Sequence, residues 1–346
     1  MGQKLYLECY SGISGDMTVG ALLDLGANEE VLRKALTGLP VPGFQVEISR
    51  VKKSGIDACD FNVVLDANHD NHDHDMDYLY GHEQTAKKYI PDHAHHPEED
   101  HDHDHTHHSE EDHEHDHAHY SEEDHDPDHT HHPEEDHEHD HAHHPEEDHE
   151  HDHTHHPEED RDHDHAHHSE EHHHHEHRGM PEIRSIIMAA NMTDRAKELA
   201  LHIFTILAEA ESVAHNVPVD QVHFHEVGAV DSIVDIISVA VCLDDLNITD
   251  VVVTELREGT GTVRCQHGIL PVPVPAVLNI VKAHDIPLQI TEWKGEFVTP
   301  TGAAIVAAIR TSDKLPERFR VKRVGIGAGK RVYDGPGMLR AMLIEE

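Results

Sequence analysis

The chain has 346 residues, with 70 acidic against 26 basic side chains, a formal net charge of −44 and four cysteines. This balance excludes nucleic-acid binding through a basic patch, because phosphate repels carboxylate. The scattered Cys9, Cys59, Cys242 and Cys265 form no CxxC and exclude a disulfide framework; with no signal-peptide apolar region after Met1 and no apolar run of about 18 residues, a cytoplasmic, non-membrane protein is expected.

From the N-terminus, Lys4–Glu8 reads as a strand. Cys9-Tyr10-Ser11-Gly12-Ile13-Ser14-Gly15-Asp16-Met17 follows, then an apolar helix over Thr18–Leu25 closed by Gly26. A strand, a Gly/Ser loop and a helix start together offer backbone N–H groups and a favourable dipole to an anion. The plainer reading is a tight turn between strand and helix. Phe44–Val51 and Phe61–Leu65 predict two more strands, so the long segment that follows leaves the folded domain at a strand end, where insertion is tolerated.

Residues 66–178 are different material. All but six of the 45 histidines lie between His69 and His177. From His95 the segment repeats every 12 residues, as in His143-His144-Pro145-Glu146-Glu147-Asp148-His149-Glu150-His151-Asp152-His153-Thr154. No unit carries an apolar face to stack, so nothing offsets chain entropy and disorder is expected. Neutral imidazole is a ligand for Ni, Cu, Zn and Co, and carboxylates add charge and oxygen donors. The tract is expected to bind divalent transition metal, nickel foremost, as a reservoir rather than a catalyst. Binding should weaken as pH falls, since dense carboxylates favour protonated imidazole. The bland alternative is a solvated acidic linker.

Beyond the tract, Met180–Asn191 and Thr193–His215 predict helices, the second with Leu199, Ile203, Ile206, Leu207 and Ala210 on one stripe. The densest constellation follows: Val222-His223-Phe224-His225-Glu226-Val227-Gly228-Ala229-Val230-Asp231-Ser232-Ile233-Val234-Asp235. If 222–226 is extended, His223 and His225 share one face and can share a metal ion. Asp231 and Asp235 fall one turn apart on a helix over Ser232–Leu243 and offer further carboxylates. The competing reading makes one histidine a core residue and Asp231 a helix cap.

Val251–Glu255 predicts a strand. Cys265 and His267 would share a face of an extended chain, and the alternating prolines of Leu270–Pro275 exclude a central strand and suggest a rigid wall or edge. In Glu296-Phe297-Val298-Thr299-Pro300-Thr301-Gly302-Ala303-Ala304, Thr299 reads as the N-cap of a helix over Ala303–Arg310 with proline at its first position, a second candidate anion seat. Gly325-Ile326-Gly327-Ala328-Gly329-Lys330-Arg331 fails as a phosphate-binding loop, because Val324 stands where the first glycine belongs and Arg331 where Ser/Thr should bind magnesium. It reads as a turn.

Ser11–Met17, Val222–Asp235, Gln266–Ala276 and Glu296–Ala304, in this order, resemble the LarC family of nickel-inserting cyclometallases. The resemblance implies a thiocarboxylated pyridinium mononucleotide substrate whose nickel-pincer form serves lactate racemase. It implies nickel held by His223, His225 and Glu226 with Asp231. It implies a base to accept the ring proton from among Asp16, Asp235 and His267. The substrate phosphate would meet the Ser11, Gly12, Ser14 and Gly15 loop or the Thr299, Thr301 and Gly302 helix start. The family's CTP dependence, with Mg2+ or Mn2+, is associated with a C-terminal domain beyond the matching motifs, so a separate C-terminal LarC portion is an expected partner. Lactate racemase apoprotein and a second copy of the chain are others.

The expected fold is α/β, with mixed strands and helices in one or two small layers, divided into 1–65, the insertion 66–178, and 179–346. The alternatives are a non-enzymatic nickel store or metallochaperone needing only the tract, and a zinc hydrolase built on His223 and His225.

Overall fold

The computed structural model describes residues 2–66, 178–224, 229–265 and 267–346. The His-rich insertion therefore lies, apart from its end residues, outside the described residues. So do His225, Glu226 and Gln266.

The strands are β1 (Gln3–Glu8), β2 (Phe44–Lys53), β3 (Ile56–Leu65), β4 (Arg178–Gly179), β5 (His223–Phe224), β6 (Ile248–Val252), β7 (Leu256–Thr260), β8 (Thr262–Cys265), β9 (Gly268–Pro271), β10 (Leu288–Lys294), β11 (Arg320–Ala328) and β12 (Met338–Glu345). The helices are α1 (Gly15–Asp24), α2 (Glu29–Leu36), α3 (Met180–Ala189), α4 (Asp194–His215), α5 (Val230–Asp245), α6 (Pro275–Ala283) and α7 (Pro300–Ile309).

A six-stranded mixed sheet runs β2-β3-β11-β12-β1-β6, parallel at β1/β6 and β3/β11 and antiparallel elsewhere. Strands from both sides of the insertion interleave in it. The period of two is visible in β1: Leu5 and Leu7 join the main core, whereas Tyr6 joins a small cluster with Val252, Met342 and Ile344 on the other face. Helix α1 packs on β11 and β3 and against α5, and α4 packs beyond α5 against α6 and α7. Burying Ile203, Phe204, Ile206 and Leu207 fixes the inward stripe of α4, whose ends are set by the Thr193 cap on Ala196 N–H (3.1 Å) and by Asn216 in the left-handed region.

Helix α1 begins at Gly15, three residues before the predicted apolar run, which leaves Ser14 at the N-cap position. The predicted strand 251–255 is a junction: β6 ends at Val252 and the chain crosses to a second, parallel pair formed by β7 and β10. The proline run enters β9, which pairs only with β8 in a hairpin, consistent with the missing N–H groups. The glycine run is a strand rather than a turn. Its glycines alternate along β11 and seat α1 backbone to backbone: a Cβ on Gly325 would lie 2.2 Å from Ala21 O, and one on Gly327 would lie 1.9 Å from Met17 O. Any side chain there would push the helix off the sheet.

Candidate functional site

Four helices begin at one cavity of about 540 Å³. Its wall takes Ser14, Gly15 and Asp16 from α1, Asp231, Ser232 and Asp235 from α5, Val274 and Pro275 from α6, and Thr299, Pro300 and Thr301 from α7. Each helix start brings the positive end of its dipole to the cavity.

The two loops predicted as anion seats lock into each other. Ile13 N–H donates to Phe297 O (2.9 Å) and Thr299 N–H donates to Ile13 O (3.1 Å). Gly12, at φ +81°, passes so close that a Cβ would sit 2.0 Å from Phe297 O, and a Cβ on Gly302 would sit 2.1 Å from Ile13 O. Beneath them Glu258 is fully buried. Its Oε1 accepts from the N–H groups of Gly259 (2.8 Å), Phe297 (2.7 Å) and Val298 (3.1 Å), while Oε2 has no partner. Burial pushes this carboxyl up to about 7 against the pull of the three donors.

The charged heart of the cavity is an acid cluster around one lysine. Asp16 Oδ1 accepts from Ser14 Oγ and from Met17 N–H (2.8 Å). Asp235 accepts from the Asp16 N–H, is held well above the usual carboxylate range by burial and then by the Asp16 charge, and leaves Oδ1 without a partner. Burial also raises Asp231, whose Oδ1 is likewise unpartnered. Burial alone would lower Lys330, but Asp16, Asp235, Asp231 and Asp60 together hold it above its ordinary value.

A second wall is polar and aromatic. His215 and His267 lie with ring centroids 4.9 Å apart, and His215 Nε2 is 3.3 Å from Glu211 Oε2. Arg331 donates to Glu296 (2.8 Å) and to Tyr333 Oη (3.2 Å). The Tyr333 ring meets Phe297 at 4.9 Å, and Phe297 meets Trp293 at 5.6 Å.

Of the residues singled out from sequence, Ser11, Ser14, Gly15, Asp16, Asp231, Asp235, His267, Thr299 and Thr301 all line this cavity. Gly12 and Gly302 do not, and their N–H groups are taken by Cys9 O and Thr299 Oγ1, so they act sterically rather than as donors. His223 is exposed on β5, paired with Gly179, and is absent from the cavity wall. Cys265 and His267 share the cavity, but at the end of the β8–β9 hairpin rather than along an extended chain. Sequence reasoning missed Lys330, Arg331, Glu296, Glu211, His215 and Tyr333. The basic pair after alternating glycines was the available signal for the first two.

The family model described as "Nickel insertion protein" matches residues 5–346. The chain belongs to the nickel insertion protein family. Among its relatives in that family, the chain is 41% identical over 348 residues to the pyridinium-3,5-bisthiocarboxylic acid mononucleotide nickel insertion protein of Alkaliphilus metalliredigens, covering 100% of this chain and 61% of that protein. Proteins of the same name from Clostridium acetobutylicum (33%, 99% of this chain and 64% of the relative) and Acetivibrio thermocellus (29%, 98% and 60%) are similar. The chain thus spans 60–64% of the length of these curated nickel insertion proteins. No solved structure matches. Among the described residues, no group of three or more His, Cys, Asp or Glu is arranged to hold a metal ion, and no helix is long and apolar enough to cross a membrane.

Proposed function

We propose that this chain carries the insertion site of a nickel cyclometallase acting on pyridinium-3,5-bisthiocarboxylic acid mononucleotide. The reaction joins Ni2+ to two thiocarboxylate sulfurs and one ring carbon, and that carbon releases its hydrogen as a proton without electron transfer. Such a site needs a seat for phosphate, a route for a dication and an acceptor for the proton. The observation that carries the reading is the meeting of Asp16, Asp231, Asp235 and Lys330 in a cavity where four helices begin.

Asp235 is the proposed acceptor. Its Oδ1 is unpartnered, whereas Asp16 Oδ1 is engaged by Ser14 and Met17. Burial favours the neutral acid before metal arrives; a nearby dication favours the carboxylate, so nickel entry creates the base when it is needed. Ser11, Ser14 and Thr301, the positive dipole ends of α1 and α7, and Lys330 or Arg331 suit the phosphate. His223, His225, Glu226 and Asp231 are the proposed nickel-delivering ligands, with the His-rich tract as reservoir. A store alone would not need the cavity.

CTP with Mg2+ or Mn2+ is proposed to act through the portion of the relatives that this chain does not span, and the product to serve lactate racemase apoprotein. The test combines this chain, that portion, CTP and Mg2+, Ni2+ and the thiocarboxylated nucleotide, and follows product by absorbance and mass. Asp235→Asn should lower turnover at least about 100-fold. Full activity in Asp235→Asn removes it as base, normal activity in His223→Ala/His225→Ala removes those ligands, and no product from the unaltered mixture sinks the reading.

A further inference from the structure

The cavity contains an aromatic wall that neither proton transfer nor phosphate binding uses. Phe297 and Tyr333 both line it, and behind Phe297 lies Trp293, the chain's single tryptophan. The three rings are tilted by only 30° and 36° to one another, close to an offset stack.

Glycines hold this stack in place. A Cβ on Gly295 would lie 2.4 Å from Tyr333 Cε1, one on Gly335 would lie 2.7 Å from Phe297 Cε1, and one on Gly259 would lie 2.7 Å from Phe297 Cδ2. Three separate segments therefore forgo side chains so that these rings can pack. Arg331 fixes the Tyr333 hydroxyl at 3.2 Å and is itself held by Glu296. Tyr333 nonetheless lines the cavity rather than being sealed in the core.

A neutral, electron-rich ring face attracts a flat cation by its quadrupole and stacks on an electron-poor ring. We infer that Tyr333, backed by Phe297, is the seat of a cationic aromatic ring, the pyridinium of the substrate, and selects it over uncharged rings. This rests on the function proposed above. It gives a division of labour within the cavity: the aromatic wall orients the ring, and the Asp16–Asp231–Asp235 cluster meets the carbon that loses its proton. It also provides a reporter, because a pyridinium stacked on Tyr333 joins a run of rings that passes through Phe297 to the only indole and should quench its emission.

The experiment titrates the full chain with pyridinium-3,5-dicarboxylic acid mononucleotide, the oxygen analogue of the substrate, and with ribose 5-phosphate, following Trp293 emission and, in parallel, calorimetric heat. The pyridinium nucleotide should bind and quench; ribose 5-phosphate should leave the emission unchanged. Tyr333→Leu should weaken the nucleotide about tenfold, and Tyr333→Phe, which keeps the ring, should restore affinity to within about threefold. Unaltered melting temperatures in both variants separate recognition from folding. Calorimetric binding that leaves Trp293 emission unchanged and is equal in Tyr333→Leu overturns the aromatic seat while leaving the proposed function standing. Absence of heat with any pyridinium nucleotide overturns both.

Discussion

Gly15 and Asp235 are locked together: a Cβ added to Gly15 would lie 2.5 Å from Asp235 Oδ2 and 2.7 Å from its Cβ. The first residue of α1 thus has no side chain because the carboxylate of α5 occupies that space. Gly15→Ala should leave helix propensity unharmed or improved, yet force α1 and α5 apart where the proposed base stands. The expected outcome is a modestly lowered melting temperature with turnover reduced at least about tenfold. Wild-type turnover in this variant would show that the spacing of Asp235 from α1 is immaterial.

Removing the lysine among the acids should expose their repulsion. Lys330→Met leaves Asp16, Asp231, Asp235 and Asp60 without their shared cation. At pH 8 the loss should be about 3 kcal/mol, the range for breaking a buried pair. At pH 5 it should be smaller, because carboxyls already raised by burial take up protons more readily once the cation is gone. Urea unfolding at the two pH values measures this, and an equal loss at both contradicts it.

Glu258 sets a pH dependence of its own. Its folded value near 7 exceeds the ordinary 4.5, so its contribution is fully present below about 4.5 and is lost as pH rises through about 7. The full swing is roughly 3 kcal/mol. Asp231 and Asp235, also raised, slope in the same direction. Glu258→Gln keeps an oxygen for the three N–H donors and abolishes the titration. Its denaturation midpoint should fall less between pH 5 and 8 than the wild-type midpoint; superimposable curves would count against the assignment.

The glycines of β11 give a purely structural prediction. Gly327→Ala places a methyl against Met17 O, a backbone atom that cannot turn aside. Overpacking of this kind costs about 3 kcal/mol or more. A chemical denaturation curve indistinguishable from wild type would mean that α1 can lift from the sheet at little cost.

The local features were legible where short-range rules act alone. Thr299 followed by Pro300 announced the start of α7, and the apolar stripe through Ile203, Ile206 and Leu207 announced α4, whereas α2, capped by Asn28, was not foreseen. The carboxylates Asp16 and Asp235 stood out by their setting in glycine loops and a histidine-rich run. Their meeting did not, because the Gly15–Asp235 contact joins residues 220 positions apart in the chain. Lys330 was hidden for a different reason. The glycines before it serve α1 rather than a phosphate, so a motif test asked the wrong question of them. Tyr333 and Trp293 carry no sequence motif; only Gly259, Gly295 and Gly335 record their packing, from three distant segments.

The order of strands in the sheet also bears on how the protein is made. Lys4 pairs opposite Ile344, so β1 waits while some 340 further residues are synthesised before it gains its antiparallel neighbour. Pairing across such a separation is slow, since the loop must close before any contact rewards it. The histidines of residues 69–177 are synthesised well before Asp231, Asp235 and Lys330. On the reservoir role proposed above, a nascent chain would carry its own supply of ions before the residues of the cavity have been made.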